Sequence, residues 1–337
     1  MPNMPAVLLT EDRQITLADH PVPTRRADQV IVDVDLCGIC GSDLHAPGLP
    51  QVYVGGVVMG HEAAGTISWV GDEVEGWTLG QRVAINPNGN VDDTCAQCRA
   101  GRPNFCRQAT METALGLQLD GGLAAQMAAF PGTLRPVPDS MTRIASAWVE
   151  PTATALHAIN LAGELEDRTV VVTGGGPIGQ LAVRIARSRG AGRLVLVEPS
   201  PERRAFGVAS GADEIVTPAE AADLIGDLHA HVVVEASGSG AASALGLEVL
   251  APGGVFVVVG AGEGNVLDSG PVLLKELQVR GSFVYTREFD DAISLLAGGC
   301  IDVDDLTSVV APLEEYRNAF DSLLDASTMK VLISPRG

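Results

Sequence analysis

The stretch Thr169-Val-Val-Val-Thr173 runs straight into Gly174-Gly-Gly176-Pro177-Ile178-Gly179, and helical spacing follows from Ile178 to Arg189. No other feature narrows the available folds as much. A short apolar strand that ends in G-x-G-x-x-G and opens a helix is the signature of a dinucleotide-binding βαβ unit. Gly174 permits the tight turn, Gly176 lets backbone approach a pyrophosphate, and Gly179 lets helix and strand pack closely. The diphosphate is expected at the positive N-terminus of that helix. Strand and helix keep alternating: Leu194–Glu198, a helix from Pro201 to Ser210, His231–Glu235, a helix from Ala241 to Leu250, Val255–Val259 and Leu277–Gly281. Strands that are continuously Val- and Leu-rich belong to a parallel sheet covered on both faces. The spacing predicts an α/β, doubly wound domain over 151–286.

Glu198 closes the second strand of this series, 19 residues after Gly179. A carboxylate there accepts hydrogen bonds from the adenosine ribose hydroxyls and repels a 2′-phosphate, which favours NAD over NADP. Pro199 stands where a phosphate-binding cation would otherwise lie. Arg203 is a further candidate for the ribose region; its plainer reading is a solvated helix residue.

Residues 1–150 have a different texture. Val30–Leu36 alternates, Gly65–Val70 and Gly80–Ile85 are short strands, and glycine and proline punctuate the rest, as in a β-rich domain with long functional loops. The last fifty residues contain amphipathic pieces at Phe289–Ala297 and Glu314–Leu324. With 337 residues, of which 46% are hydrophobic and 19% charged, the chain can bury two ordinary cores.

A formal net charge of −20 disfavours nucleic acid and anionic membranes as partners, since both need a positive surface. No apolar run reaches the roughly 18–20 residues needed to cross a bilayer. The opening Met1-Pro-Asn-Met-Pro-Ala6 lacks the basic and apolar regions of a signal peptide, so a soluble, cytoplasmic protein is expected. Lysine occurs only at Lys275 and Lys330, and this skew by itself assigns no function.

There are six cysteines, and Cys95, Cys98 and Cys106 fall within a dozen residues, which favours metal over disulfides in such a chain. Two further segments gather ligand chemistry: Cys37-Gly-Ile-Cys40-Gly-Ser42-Asp43-Leu-His45 and Gly60-His61-Glu62. Thiolate, imidazole and carboxylate suit zinc, and a catalytic zinc keeps three protein ligands and an open position.

Taken in order, the C-G-S-D-x-H segment, G-H-E, the cysteine lobe, Glu150-Pro-Thr-Ala-Thr-Ala-Leu-His157 and the glycine fingerprint resemble the medium-chain, zinc-dependent alcohol and polyol (sorbitol-type) dehydrogenases. The resemblance covers nearly the whole chain. It implies a β-rich GroES-like catalytic domain over 1–150, to which 287–337 returns, beside the Rossmann domain. It implies Cys40 and His61 as catalytic zinc ligands. The third ligand is Cys in one branch of the family and Glu in the polyol branch, which points to Glu150, while Glu62 is the neighbouring carboxylate that approaches or replaces a ligand. On this resemblance zinc acidifies a bound alcohol and its hydride moves to the nicotinamide. Ser42 and His45 match a relay that carries the proton through the cofactor ribose to solvent, and Asp43 matches the carboxylate that orients a ligand imidazole. Thr154 is a candidate nicotinamide contact.

The family's structural lobe reads C-x2-C-x2-C-x7-C, and here it is Asp92-x2-Cys95-x2-Cys98-x7-Cys106. A carboxylate completes a tetrahedral zinc site, so a second, structural zinc is expected, with Asp93 an alternative donor. Cys37 and Cys300 read as packing or structural residues. Leu49, Tyr53, Met111 and Leu117 are read as pocket lining or as core. Gly121-Gly122-Leu-Ala-Ala-Gln126 departs from the aromatic and acidic residues often found after this glycine pair. The resemblance implies a small alcohol or ketone as substrate and a homotetramer or homodimer. A ketone or aldehyde reductase working in the opposite direction, and a non-catalytic cofactor-binding protein, are the competing readings.

Overall fold

Strand β1 (Asn3–Leu9) alternates exposed and buried residues and folds back antiparallel on β2 (Ile15–Pro21), with Leu9 opposite Ile15. Arg13 sits in the turn between them with φ 62°, the left-handed region that tight turns require. This hairpin was not expected from the sequence, because β2 is half-exposed along its length and offers no apolar stripe. The computed structural model describes residues 2–262 and 266–337. The chain divides into two compact units, Met1–Glu150 with Phe289–Gly337, and Pro151–Glu288.

In the first unit, β4 (Val57–Val58) adds to the free edge of β1. A second sheet joins β3 (Val30–Gly38), β5 (Glu62–Val70), β6 (Arg82–Ile85), β7 (Gln126–Ala129) and β8 (Leu134–Pro136). Its core includes Val32, Val34, Ile67, Val83, Leu123 and Met127, all nearly inaccessible to solvent.

The second unit carries the doubly wound sheet. Strands β9 (Thr169–Thr173), β10 (Arg193–Val197), β11 (Glu214–Val216), β12 (Ala230–Glu235), β13 (Leu250–Val258) and β14 (Gln278–Gly281) are all parallel, in the order β11-β10-β9-β12-β13-β14. The reversal falls beside β9, the switch point at which such sheets hold ligands. Val171, Val195, Val233 and Phe256 are fully buried, as strands covered on both faces demand. Lys275 Nζ donates to the carbonyls of Leu247 (3.2 Å), Glu248 (2.7 Å) and Leu250 (3.1 Å), where the helix Gly240–Val249 ends and leaves carbonyls without intrahelical partners.

The unit ends at Glu288, two residues beyond the 286/287 boundary read from the sequence, for an identifiable reason. Glu288 is buried and accepts from His157 Nδ1 (3.1 Å), Asn160 Nδ2 (3.0 Å) and the backbone N–H of Thr286 (2.7 Å). Burial alone would raise its pKa, but these donors hold it well below the usual carboxylate range.

The chain then returns to the first unit. After the helix Glu288–Ala297, β15 (Val309–Pro312) pairs in parallel with β16 (Val331–Ser334), and β16 pairs antiparallel with β3, Leu332 facing Gly38 and Ile333 facing Cys37. The expected amphipathic piece 314–324 is the helix Tyr316–Ser322 preceded by a 3₁₀ turn at Leu313–Glu315. Among the described residues, no helix is long and apolar enough to cross a membrane.

Candidate active site and metal centres

Cys40 follows β3 and caps the short helix Gly41–His45. Its backbone N–H donates to Asp43 Oδ2 at 2.9 Å while the Asp43 N–H donates to the Cys40 carbonyl at 3.0 Å. This reciprocal cap fixes Cys40 at the end of the strand. His61 and Glu62 lie where the chain enters β5, and register places Glu62 opposite Gly38. A Cβ at Gly38 would come within 2.0 Å of Glu62 Oε2, so the glycine between Cys37 and Cys40 makes room for that carboxylate.

Ligand atoms of Cys40, His61 and Glu62 lie within 4.8 Å of one another. Ligands of a tetrahedral zinc, at about 2.0–2.3 Å from the metal, sit about 3.3–3.8 Å apart. The group therefore fits zinc with small adjustment. The buried His61 Nδ1 also has no hydrogen-bond partner, and Asp43 Oδ1 stands 3.5 Å away, too far for a well-formed bond. Glu150 does not join this group.

Lys330 was missed in the sequence. It lies directly before β16, is almost completely buried, and forms an ion pair with Glu62. Its ammonium sits 5.7 Å from the centre of the buried Trp148 ring. Burial would depress its pKa, but Glu62, Cys40 and Glu150 outweigh that and hold it above the ordinary lysine value. The only available signal was rarity, one of two lysines in the chain. Its partner is remote in sequence, and only the β16–β3 pairing brings the two together.

Ser42 is partly buried and His45 exposed on the same short helix. Ser42 Oγ lies 2.8 Å from Tyr53 Oη, and Tyr53 donates to Asp43 Oδ1 at 3.1 Å. Tyr53 and Met59 are fully buried, whereas Met111 is exposed and Leu49 and Leu117 pack against the first unit's core.

A second group, Asp92, Cys95, Cys98 and Cys106, likewise has ligand atoms within 4.8 Å of one another. Asp92 Oδ1 accepts from the N–H of Thr94 (2.8 Å) and of Cys95 (2.7 Å), which hold its carboxyl below the usual range. The Cys98 N–H points at Cys95 Sγ, 3.4 Å away, at the start of the helix Ala96–Arg99. Burial, with hydrogen bonds to the Cys95 and Cys106 thiols, pushes the Cys98 thiol up to about 12. Three thiols and a carboxylate crowded this closely fit a tetrahedral zinc. Asp93, with φ 55°, turns the chain and is not in the group.

In the second unit Gly174 has φ 96°, and a Cβ at Gly179 would lie 1.8 Å from the Gly174 carbonyl oxygen. The fingerprint is thus a turn that only glycine permits. Gly176 caps the helix Pro177–Ser188, with Pro177 at its first position and Ile178 second. Glu198, just past β10, is buried and accepts from Gly175 N (2.6 Å) and Ser200 N (2.8 Å). Arg203 Nη1 is the nearest atom to a Cβ placed on Gly176, at 4.0 Å, and its Nε is buried without a hydrogen-bond partner. The residues fit a dinucleotide: a glycine-lined helix N-terminus, an acid beside it and a guanidinium with donors to spare. Thr154 lies on the helix Val149–Ala162, half-buried.

The fold and both donor sets describe a two-domain zinc dehydrogenase, and known proteins agree. Residues 26–139 match the alcohol dehydrogenase GroES-like domain, and residues 177–298 match the zinc-binding dehydrogenase family. The chain is 32% identical over 340 residues to D-xylulose reductase A of Aspergillus oryzae, spanning 95% of this chain and 94% of that one. It is 31% identical over 343 residues to the sorbitol dehydrogenase of Bombyx mori, spanning 97% of each. A crystal structure of a zinc-binding dehydrogenase from Sinorhizobium meliloti, bound to NADP, superposes with a TM-score of 0.91 at 30% identity, over 99% of this chain and 100% of that one. The chain belongs to the zinc-dependent medium-chain dehydrogenase family. It is an oxidoreductase that works with zinc and a nicotinamide cofactor.

Proposed function

We propose that the protein oxidises a secondary alcohol or polyol to the ketone with NAD, at a zinc held by Cys40, His61 and a carboxylate. The observation that carries this reading is the convergence of the Cys40, His61 and Glu62 ligand atoms in the first unit, with His61 and Glu62 buried and Cys40 partly exposed. Glu62 is the carboxylate grouped with them, and Glu150 is the alternative. Zinc supplies Lewis acidity that favours loss of the substrate's hydroxyl proton, and the nicotinamide accepts the hydride. Asp43 holds Cys40 through its backbone and stands behind His61. As Ser42 takes the hydroxyl proton it gives up its own, and His45, exposed on the same short helix, is the group that passes a proton to solvent. Gly174, Gly176, Pro177, Ile178 and Gly179 cradle the diphosphate, Arg203 lies at the ribose end, and Thr154 contacts the nicotinamide.

Glu198 supports NAD, since a buried carboxylate already held by two backbone N–H groups repels a 2′-phosphate. Asp92, Cys95, Cys98 and Cys106 hold a structural zinc. Unpaired cysteines at all six positions support a reducing, cytoplasmic setting. The sheet edge at β14, beside exposed Val279 and Phe283, supports a homodimer or homotetramer. The names of the Aspergillus and Bombyx relatives support a sugar alcohol or its ketose as substrate. The zinc-loaded protein should be offered diols, cyclic polyols, sugar alcohols and aromatic alcohols with NAD or NADP, and NAD(P)H absorbance followed. Turnover restricted to primary aromatic alcohols would sink the substrate class, and a preference for NADP would sink the role of Glu198.

A further inference from the structure

Tyr53 lies in the segment between the helix Gly41–His45 and β4, and its side chain is 1% exposed. A buried phenol usually finds one partner for its hydroxyl. This one has two, Ser42 Oγ at 2.8 Å and Asp43 Oδ1 at 3.1 Å. The hydrogen assignment follows from the partners. An aspartate carboxylate only accepts, so the single phenolic proton points at Asp43, and the phenolic oxygen is left to accept from the Ser42 hydroxyl. Burial, reinforced by Asp43, raises the phenol's pKa far above its ordinary value, so it stays protonated and keeps this polarity.

The placement of Tyr53 is built rather than incidental. Arg13, in its left-handed turn, donates to the carbonyls of Tyr53 (2.7 Å), Pro47 (3.2 Å) and Ala46. Gln118 Nε2 donates to the Val52 carbonyl at 2.6 Å, and Val54 N donates to the Leu117 carbonyl at 2.8 Å. Two separate segments, the Arg13 turn and 117–118, thus clamp the backbone on both sides of the ring.

We propose that Tyr53 is a positioning residue for the reaction: by accepting a hydrogen bond from the Ser42 hydroxyl it turns the lone pairs of Ser42 Oγ toward the substrate hydroxyl. Serine hydroxyls rotate freely unless a partner holds them. A held rotor presents an acceptor to the substrate hydroxyl, and orientation of this kind is worth substantial rate. As Ser42 Oγ takes that proton, its own leaves the hydrogen bond to Tyr53 Oη for the path that ends in solvent at His45, so the serine remains a neutral hydroxyl. The inference rests on the reading of Ser42 as the proton-receiving group.

The test uses the zinc-loaded, full-length protein and the alcohol oxidised fastest in the panel above. Tyr53→Phe keeps the ring and removes the hydroxyl; kcat is expected to fall about 10-fold, with KM for NAD unchanged and a changed solvent deuterium isotope effect on kcat. In a Ser42→Ala background the same substitution should leave kcat where Ser42→Ala alone put it, because the two act as one unit. A readout without turnover is the Kd for trifluoroethanol, an alcohol that resists oxidation, in the enzyme–NAD complex; it should weaken severalfold in Tyr53→Phe. If Tyr53→Phe lowers kcat by the same factor with and without Ser42, the positioning role is overturned. If Ser42→Ala leaves kcat intact, the reading of Ser42 fails and the Tyr53 proposal with it, and the two failures are distinguishable. Should Tyr53→Phe not fold, Arg13→Met loosens the clamp while keeping the phenol and is expected to show the same loss of coupling to Ser42.

Discussion

Both donor sets bring their ligand atoms within 4.8 Å of one another, and they are built in opposite ways. Cys40, His61 and Glu62 stand at the ends of paired strands β3 and β5, where His61 and Glu62 are buried and Cys40 is partly exposed. Asp92, Cys95, Cys98 and Cys106 stand on turns and a four-residue helix, tied by hydrogen bonds that rarely reach beyond neighbouring residues. The first site has its frame without metal; the second has little except its donors. Where the frame exists, a metal can be left with an open position for chemistry. Where it does not, the metal itself contributes folding free energy.

The largest expected effect breaks the first site without touching its frame. Cys40→Ala or His61→Ala should lower kcat by about 10⁴-fold, roughly 5 kcal/mol of transition-state stabilisation, since metal activation of the substrate is lost. Dinucleotide binding, followed by NADH fluorescence, should be nearly unchanged because it uses residues of the other unit. The melting temperature should move little, as the strands remain paired. A variant with a full complement of zinc and normal turnover would refute the assignment.

How far each site was legible follows from the same contrast. The altered lobe is local, so its three thiols were legible from spacing and Asp92 from the family pattern. The alternation of Rossmann strands and helices followed from texture and a glycine turn, though the short β11 was not read. Cys40 and His61 were visible as motif residues. The carboxylate was harder: Glu62 joins them through the β3–β5 register, while Glu150, the ligand implied by family resemblance, stands outside the group. Lys330 was assigned no role and Tyr53 only that of pocket lining or core, because their partners are reached by sheet pairing and by a loop clamped from Arg13. Non-local contacts of this kind leave no periodicity to read.

Lys330 sharpens the comparison, since it is the part of the catalytic frame that comes from the far end of the chain. Lys330→Met removes a cation and leaves Glu62 as a buried, unpaired carboxylate, and breaking such a pair costs about 3–5 kcal/mol. Urea denaturation of the zinc-depleted protein should register that loss. Lys330→Met combined with Glu62→Gln should recover most of it, because neither buried charge remains. The cost should be smaller with zinc present if Glu62 ligates the ion, as the metal then neutralises the carboxylate. An equal loss with and without zinc would remove Glu62 from the ligand set and leave Glu150 as the candidate.

The smallest effect separates the two roles open to Asp92 in the altered lobe. Its Oδ1 already accepts two backbone N–H groups, from Thr94 and Cys95, so it is a turn residue whether or not it binds metal. Asparagine offers the same acceptor to the turn but is a poor substitute for a carboxylate on zinc. If Asp92 is a ligand, elemental analysis of the wild type should find two zincs per chain, one for each donor group. Asp92→Asn should then lose one of them, lower the melting temperature by roughly 5 °C, and leave the initial kcat close to wild type, with activity decaying faster on storage. Asp92→Cys, which supplies a fourth thiolate, should keep both zincs and melt no lower than wild type. If Asp92→Asn retains both zincs and the wild-type melting temperature, the aspartate is only a turn acceptor, and the three thiols hold their metal with another donor.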